Sequence, residues 1–315
     1  MLKIRGRRVV LGPRTLVMGV LNVTPDSFSD GGLYLAPQRA IARGLEMARQ
    51  GADWIDVGGE STRPGSKPVT AEEELARVLP VIRGLARRAP SLPISIDTTK
   101  ALVAREAVGA GAAIINDVSG LRFEPELADV ARRARTPLIL MHLRGRPETM
   151  QRGPFARSLW PSVISGLEHS ARRAREHGVW RSQLLIDPGL GFGKSRRQNF
   201  EILLGLERLR RFRLPLLVGA SRKSFVQAIA AGEGLEPARH TERRRSPWRL
   251  LAGGRRGAPV LPPALLAADA AAVATAILGG AHVVRVHDVA QLLPAVRFAD
   301  AVLRSAPEGP GKLIQ

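Results

Sequence analysis

The chain has 315 residues, a formal net charge of +20 and no cysteine. The lack of cysteine excludes disulfides and thiolate catalysis, and 44% hydrophobic with 24% charged residues is typical of a globular rather than a disordered protein. The positive charge attracts anions. Because the basic residues are spread along the chain without a nucleic-acid-binding motif, we do not expect nucleic-acid binding.

Eight short apolar runs are each followed by a stretch with helical periodicity. None of the runs alternates strictly between apolar and polar residues, which is typical of parallel strands covered on both faces. Eight strand–helix units predict an α/β fold, a single-domain (β/α)8 TIM barrel rather than an open sheet. The predicted strands are residues 16–23, 54–59, 94–97, 114–118, 138–142, 184–187, 216–219 and 282–287.

A long Arg- and Pro-rich segment, about residues 232–263, separates the seventh and eighth predicted strands. Its arginines have almost no acidic partners, so we expect an exposed insertion, with a partner-binding or nucleic-acid-binding arm as the alternative. The predicted barrel covers residues 1–305, and residues 306–315 form a frayed tail. The Ala-rich residues 264–284 contain Asp269 and a Gly279–Gly280 break, which favour a buried helix followed by a strand over a membrane span. No secretory signal pattern is found, and we expect a cytoplasmic protein.

Polar residues follow or end every predicted strand. In a (β/α)8 barrel these carboxyl ends open on one face, where active sites are built. A single such residue is more often a helix cap, but eight strands that all end this way predict a polar site. The residues are Asn22, Glu60, Thr62, Arg63, Asp97, Asn116, His142, Asp187, Ser221, Lys223, Arg285 and His287.

Two loops and one near-motif need separate interpretation. The loops 24–32 and 58–65 combine turn formers with glycine pairs, and Phe28 lacks apolar periodic neighbours, which favours closure over a ligand. Residues 187–195 resemble a phosphate-binding loop, but Pro188 stands where that motif needs glycine. We interpret this segment as a tight strand-to-helix turn.

These motifs resemble the dihydropteroate synthase family over nearly the whole predicted barrel. The first two stretches are long and specific, and related pterin-binding methyltransferase domains do not share both. The matching stretches are MGVLNVTPDSFSDGG (18–32), IDVGGESTRPGS (55–66), ISIDTTK (94–100), IINDVSG (114–120), LMHLRGRPETMQ (140–151), DPGLGFGKS (187–195), LLVGASRKSF (216–225) and HVVRVHDV (282–289).

The resemblance implies a folate-pathway transferase that condenses 6-hydroxymethyl-7,8-dihydropterin diphosphate with 4-aminobenzoate. It also implies Mg²⁺ as a cofactor, bound through Asn22, and a diphosphate site formed by Asn22, Arg285 and His287. The implied pterin site comprises Asp97, Asn116, Met141, Asp187, Phe192, Gly219 and Lys223.

The implied aminobenzoate site comprises Thr62, Arg63, Pro64, Ser221 and Arg222, with Phe28 and Asp30 from the first loop. The residues implied to act in catalysis are Asn22, Phe28, Asp30, Arg63, Lys223, Arg285 and His287. Many family members have a dimer interface near the seventh and eighth strands, where this chain has its long insertion, so both a homodimer and a monomer remain open. The alternative functions are a pterin-dependent methyl carrier, a decayed pterin-binding paralogue and a basic nucleic-acid binder.

Overall fold

The computed structural model describes residues 2–24, 35–62, 65–151, 155–235 and 262–305. Residues 236–261, which form most of the predicted insertion, and the tail at 306–315 therefore lie outside the described residues. The described helices are α1 (Leu35–Arg49), α2 (Ala71–Arg88), α3 (Ala101–Gly109), α4 (Leu127–Ala134), α5 (Leu159–Glu176), α6 (Arg196–Leu204), α7 (Ser224–Ala230), α8 (Pro263–Leu278) and α9 (Val289–Ser305).

Ten strands are described, and all eight predicted runs contain one. The first two, β1 (Leu2–Ile4) and β2 (Arg7–Val9), form a hairpin. The others are β3 (Leu16–Asn22), β4 (Trp54–Gly58), β5 (Ile94–Asp97), β6 (Ile114–Asp117), β7 (Leu138–Met141), β8 (Leu184–Asp187), β9 (Leu217–Val218) and β10 (Val283–Val286).

The eight later strands form one parallel sheet that closes into a barrel. Their order is β8-β7-β6-β5-β4-β3-β10-β9, and a parallel bridge between Ile186 and Leu216 joins the two ends. The predicted (β/α)8 fold is confirmed. Helices surround the sheet and bury apolar faces against it, as in α2, where Val78, Val81 and Leu85 are fully buried.

The hairpin β1–β2 was not predicted, and it closes the amino-terminal end of the barrel. Leu2 and Ile4 pack in one cluster with interior residues such as Met18, Trp54 and Leu185. Its turn residues Arg5 and Gly6 have φ of 49° and 76°, the left-handed pair that a two-residue hairpin turn requires. The opposite, carboxyl end of the barrel is therefore the open one.

Local sequence signals explain where several helices begin. At α2, Thr70 accepts from the Glu73 amide while the Glu73 side chain accepts from the Thr70 amide, and Ser195 and Gln198 repeat this capping box at α6. The Ala-rich α8 packs against α7 and α9 and buries Asp269. Among the helices that the structure describes, none is long and apolar enough to cross a membrane.

Candidate active site

The register of the sheet brings the predicted strand-end residues to the carboxyl end of the barrel. Asn22 pairs with Gly58, Gly58 with Asp97, and Asp97 with Asn116. Across the barrel, Met141 pairs with Asp187. Because side chains at paired positions of parallel strands point to the same face, these residues form a ring at the carboxyl end of the barrel.

Arg285 on β10 extends its side chain into this ring and bridges two carboxylates. Its Nε donates to Asp56 Oδ2 over 2.6 Å and its Nη2 donates to Asp97 Oδ2 over 2.7 Å. Asn116 Nδ2 also donates to Asp56 Oδ2, over 3.0 Å. Asp56 is 0% exposed, so the guanidinium and the amide are both held from below by one buried carboxylate.

Burial and charge shift the pKa values of this cluster. Burial, reinforced by the negative charge of Asp56, raises the pKa of Asp97 to about 8 against the opposing effect of Arg285. For Arg285, burial alone would lower the pKa, but Asp56 and Asp97 outweigh it and raise the value. Asp97 can therefore carry a proton near neutral pH and can donate to, or accept from, the edge of a polar heterocycle.

A second group lies on the other side of the ring, around Asp187 and Lys223. Asp187 Oδ1 accepts from the Gly189 amide over 2.7 Å, and its pKa is raised by burial despite the charge of Lys223. Lys223 Nζ donates to the Leu190 carbonyl and lies 4.7 Å from the centre of the Phe192 ring. Burial lowers the pKa of Lys223 to about 8, against the effect of Asp187.

Apolar side chains form a wall between these groups and the outer loops. Met141 is buried in a small cluster with Val118, Leu143 and Met150, and Phe192 packs against it. Gly219 lies against Arg285, because a Cβ built on Gly219 would be 3.5 Å from the Arg285 Cβ. The site thus combines polar ring-edge groups with an apolar surface, as small-molecule pockets commonly do.

The predicted anion-binding residues Ser221 and Arg222 already have protein partners. Ser221 Oγ donates to Asp269 Oδ2 over 3.1 Å, and the Arg222 amide donates to Asp269 over 2.9 Å. The Arg222 guanidinium pairs with Asp288, with Nε 2.8 Å from Oδ2. The helix α7 begins at Ser224, just after these two residues. Asp288 engages Nε and Nη2 of Arg222, which leaves Nη1 for an additional acceptor.

His287 lies beside this group, with its Nδ1 3.4 Å from Ser221 Oγ. Its carbonyl accepts from Arg43 Nη2 over 3.2 Å, which fixes the backbone just after β10. Arg285 lies within β10 and His287 directly follows its last residue. Residues two positions apart in an extended chain share one face, which is consistent with both side chains lying on the site side.

The two predicted loops are only partly covered by the structure. Phe28, Asp30, Arg63 and Pro64 lie outside the described residues, and their roles stay predictions. Thr62, at the base of the second loop, is partly buried.

Ion pairs and a hydrogen bond hold this base in place. Lys100 bridges Glu60 and the fully buried Glu74, with 2.6 Å to the Glu74 carboxylate. Arg77 donates to the Gly59 carbonyl over 2.8 Å. The loop therefore leaves the barrel from a fixed point close to Asp97.

Sequence reasoning missed several buried charged residues around the site. Asp56 could have been found, because it is the one charged residue inside the apolar run 54–58. Lys194 had a signal only as the lysine of the near-motif at 187–195, and Asp269 only as a polar residue of the Ala-rich stretch. Asp288 carries no local signal that separates it from an ordinary loop residue. In the described part of the chain, no group of three or more His, Asp or Glu side chains could hold a metal ion.

Comparison with known proteins shows which family has this barrel and this set of polar residues. The family described as pterin-binding enzymes matches residues 18–287, most of the chain. A dihydropteroate synthase of Synechocystis is 43% identical over 293 residues, which cover 93% of this chain and 92% of the relative. That of Escherichia coli is 40% identical over 288 residues, covering 91% of each. The chain therefore belongs to the dihydropteroate synthase family of pterin-binding enzymes.

Solved structures of this family have the same fold. The Yersinia pestis dihydropteroate synthase in complex with a sulfonamide drug has a TM-score of 0.80 and 39% identity, covering 97% of this chain and 99% of that one. The Xanthomonas albilineans enzyme with 4-aminobenzoic acid also has a TM-score of 0.80 and 39% identity, covering 97% and 98%. The resemblance found in the sequence is thus confirmed.

Proposed function

We propose that this chain is a dihydropteroate synthase, a transferase of folate biosynthesis. It condenses 6-hydroxymethyl-7,8-dihydropterin diphosphate with 4-aminobenzoate to give 7,8-dihydropteroate and pyrophosphate. The amine nitrogen forms a bond to the pterin methylene carbon, the bond from that carbon to the diphosphate oxygen breaks, and the amine loses a proton. The observation that carries the proposal is the ring of Asp97, Asn116, Asp187 and Lys223 around Arg285, in a chain that belongs to this family.

The pterin ring binds deepest in the barrel. Asp97 and Asn116 offer a carboxyl group and an amide to one edge of the ring, and Asp187 and Lys223 offer a carboxylate and an ammonium to another. Met141, Phe192 and Gly219 contact its faces or rim. Each buried polar group of the pocket needs a hydrogen-bond partner, and the pterin heterocycle, with donors and acceptors along its edges, supplies several partners at once.

The diphosphate lies nearer the mouth of the barrel, against Asn22, Arg285 and His287. Negative charge builds up on the departing oxygen, and the guanidinium and imidazole stabilise it there. The amide oxygen of Asn22 is a hard ligand of the kind that Mg²⁺ accepts, and Mg²⁺ is commonly held by one or two protein oxygens together with substrate phosphates. Asn22 would hold the ion beside the diphosphate, where its charge would help neutralise the leaving group.

The aminobenzoate binds at the part of the site nearest to solvent. Phe28, Asp30, Thr62, Arg63 and Pro64 would close around it, and Ser221 and Arg222 would receive its carboxylate. Nη1 of Arg222 supports this role because Asp288 does not use it. An arylamine is a weak nucleophile, so the main task of these residues is to hold its nitrogen in line with the bond that breaks.

Turnover tests the proposal directly. Purified protein with Mg²⁺ should release pyrophosphate only when both substrates are present, and omission of either one should abolish release. A Lys223→Met variant should lose most of the activity, while Glu46→Ala, which alters an exposed ion pair on α1, should keep it. Folded protein that stays at background with both substrates would refute the proposal. A homodimer and a cytoplasmic location stay predictions, and light scattering checks the first.

A further inference from the structure

The loop between β8 and α6 turns its backbone carbonyls onto side-chain donors. Four consecutive carbonyls, from residue 189 to residue 192, each accept a hydrogen bond from a side chain. The donors are Lys194 for Gly189 and Phe192, Lys223 for Leu190, and Gln151 for Gly191. The Gly191 amide in turn donates to Asn199 Oδ1 over 2.6 Å, so the loop is fixed along its whole length.

Lys194 is the centre of this arrangement. Its Nζ donates to Gly189 O over 2.8 Å, to Phe192 O over 3.0 Å and to His142 O at the end of β7 over 3.2 Å. An ammonium has three donors, and Lys194 uses all of them on carbonyls. The residue is only 3% exposed, and burial lowers its pKa to about 7. A buried ammonium is costly, and carbonyl dipoles from two loops offset that cost here.

The two loops joined by Lys194 are in close backbone contact. Gly189 has a φ of 69°, and a Cβ at this position would lie 2.0 Å from the His142 carbonyl oxygen. A Cβ on Gly193, with a φ of 66°, would lie 2.3 Å from the Arg144 carbonyl oxygen. The carbonyl oxygens of His142, Gly189 and Phe192 converge on the Lys194 ammonium, and this cation compensates their mutual repulsion.

We infer that Lys194 is a positioning residue for the pterin site: it fixes the loop whose Leu190 carbonyl and Phe192 ring hold the Lys223 ammonium in the pocket. This inference rests on the proposed function. It also gives a role to the lysine of the near-motif that resembles a phosphate-binding loop. In this chain that lysine binds backbone carbonyls. It therefore acts on the pocket indirectly, by placing Lys223 and Phe192, and its charge also favours the ionised form of Asp187.

Calorimetric titration with 6-hydroxymethylpterin, alongside thermal melting, tests this role. Lys194→Met removes all three donors and should weaken pterin binding about 10- to 100-fold, the effect of misplacing a charged hydrogen-bond partner. Lys194→Gln keeps two N–H donors and should give a smaller loss. The control is Thr15→Val, which removes a buried hydrogen bond to Asp300 at the opposite end of the barrel. It should lower the melting temperature and leave the pterin Kd within about twofold of wild type.

The outcomes separate positioning from simple stabilisation. If Lys194→Met had a lower melting temperature but the same pterin Kd as the control Thr15→Val, the inference would be wrong, while the proposed function would still stand. A wild-type protein that bound no pterin would overturn both. Should Lys194→Met not fold, Gln151→Leu tests the same loop through its Gly191 contact, and a pterin Kd unchanged in that variant would overturn the inference as well.

Discussion

Replacement of Asp56 by alanine should damage the protein more than any exposed carboxylate replacement. Asp56 Oδ2 accepts from both Arg285 and Asn116, and Asp56 is fully buried while the Arg285 side chain is 20% exposed. Asp56→Ala therefore leaves a largely desolvated guanidinium with one carboxylate instead of two. It also removes an acceptor from a buried amide.

The structure sets the expected size of the loss. Removal of one partner from a buried ion pair costs about 3–5 kcal/mol, and a buried amide that loses its acceptor costs about 1–3 kcal/mol. Asp97 still pairs with Arg285 in the variant, so we expect a total near the lower end of the summed costs, about 4 kcal/mol. Asp56→Asn keeps an acceptor of the same shape and should lose less.

Urea unfolding measures this loss as a change in the free energy of unfolding, with the slope m as a check for two-state behaviour. The matched control is Glu46→Ala, which removes an exposed ion pair with Arg49, with side-chain exposures of 71% and 44%, and one hydrogen bond from Gln50. It should cost at most about 2 kcal/mol. If Asp56→Ala and Glu46→Ala were equally stable, the account of Arg285 as a charge that depends on Asp56 would be refuted.

Four further predictions concern the site and the insertion. Asp187→Ala should weaken pterin binding by about 1–3 kcal/mol in calorimetry, and unchanged affinity would contradict its role. Phe28→Ala should raise the KM for aminobenzoate and leave pterin affinity intact; the reverse pattern would show that the pocket is misassigned. Deletion of residues 236–257 with a Gly-Ser link should leave the melting temperature and turnover near those of wild type. A deletion variant that folds but is inactive, or that changes from dimer to monomer, would contradict this. Burial and the charge of Asp56 raise the pKa of Asp97 to about 8. The folded chain therefore keeps a proton on Asp97 that the unfolded chain loses near pH 4, and the stability of the fold decreases as the pH rises from about 4 to 8. The Tm of Asp97→Asn should exceed that of wild type by an amount that grows as the pH rises over that range, and a difference in Tm that stays constant with pH would contradict this.

The barrel could be predicted because its strands are buried on both faces. Each strand then appears as a short apolar run, and the helical stretches between the runs leave little choice of topology. The hairpin β1–β2 escaped prediction because Lys3, Arg7 and Arg8 interrupt its apolar residues. Its stability comes from contacts of Leu2 and Ile4 with the barrel interior, and no local pattern encodes those contacts. β9 is shorter than predicted, with only Leu217 and Val218 paired as strand residues.

The location of the site was predictable, but its internal pairing was not. Parallel strands of a barrel end on one face, so Asp97, Asn116 and Asp187 were expected together. The register pairs Asp97 with Asn116, and the charge of Arg285, which binds Asp97, also acts on Asp187. The pairing of Arg285 with Asp56 joins residues 229 positions apart. Only the closed barrel makes them neighbours. The partners of Arg222 were missed for the same reason, because Asp288 follows a strand 66 positions away.

Attraction of the substrates and their selection are separated in this protein. Both substrates are anions, and a net charge of +20 draws them toward the protein over a long range. Inside the pocket, the carboxylates of Asp56 and Asp187 counter the charges of Arg285 and Lys223, so charge alone does not hold a ligand there. Burial of the carboxylates is costly, as the raised pKa values of Asp97 and Asp187 indicate. A heterocycle with donors at its edges gives these carboxylates partners and recovers part of that cost on binding. The surface thus favours any anion, whereas the buried carboxyl groups favour a ring whose edges can form hydrogen bonds with them.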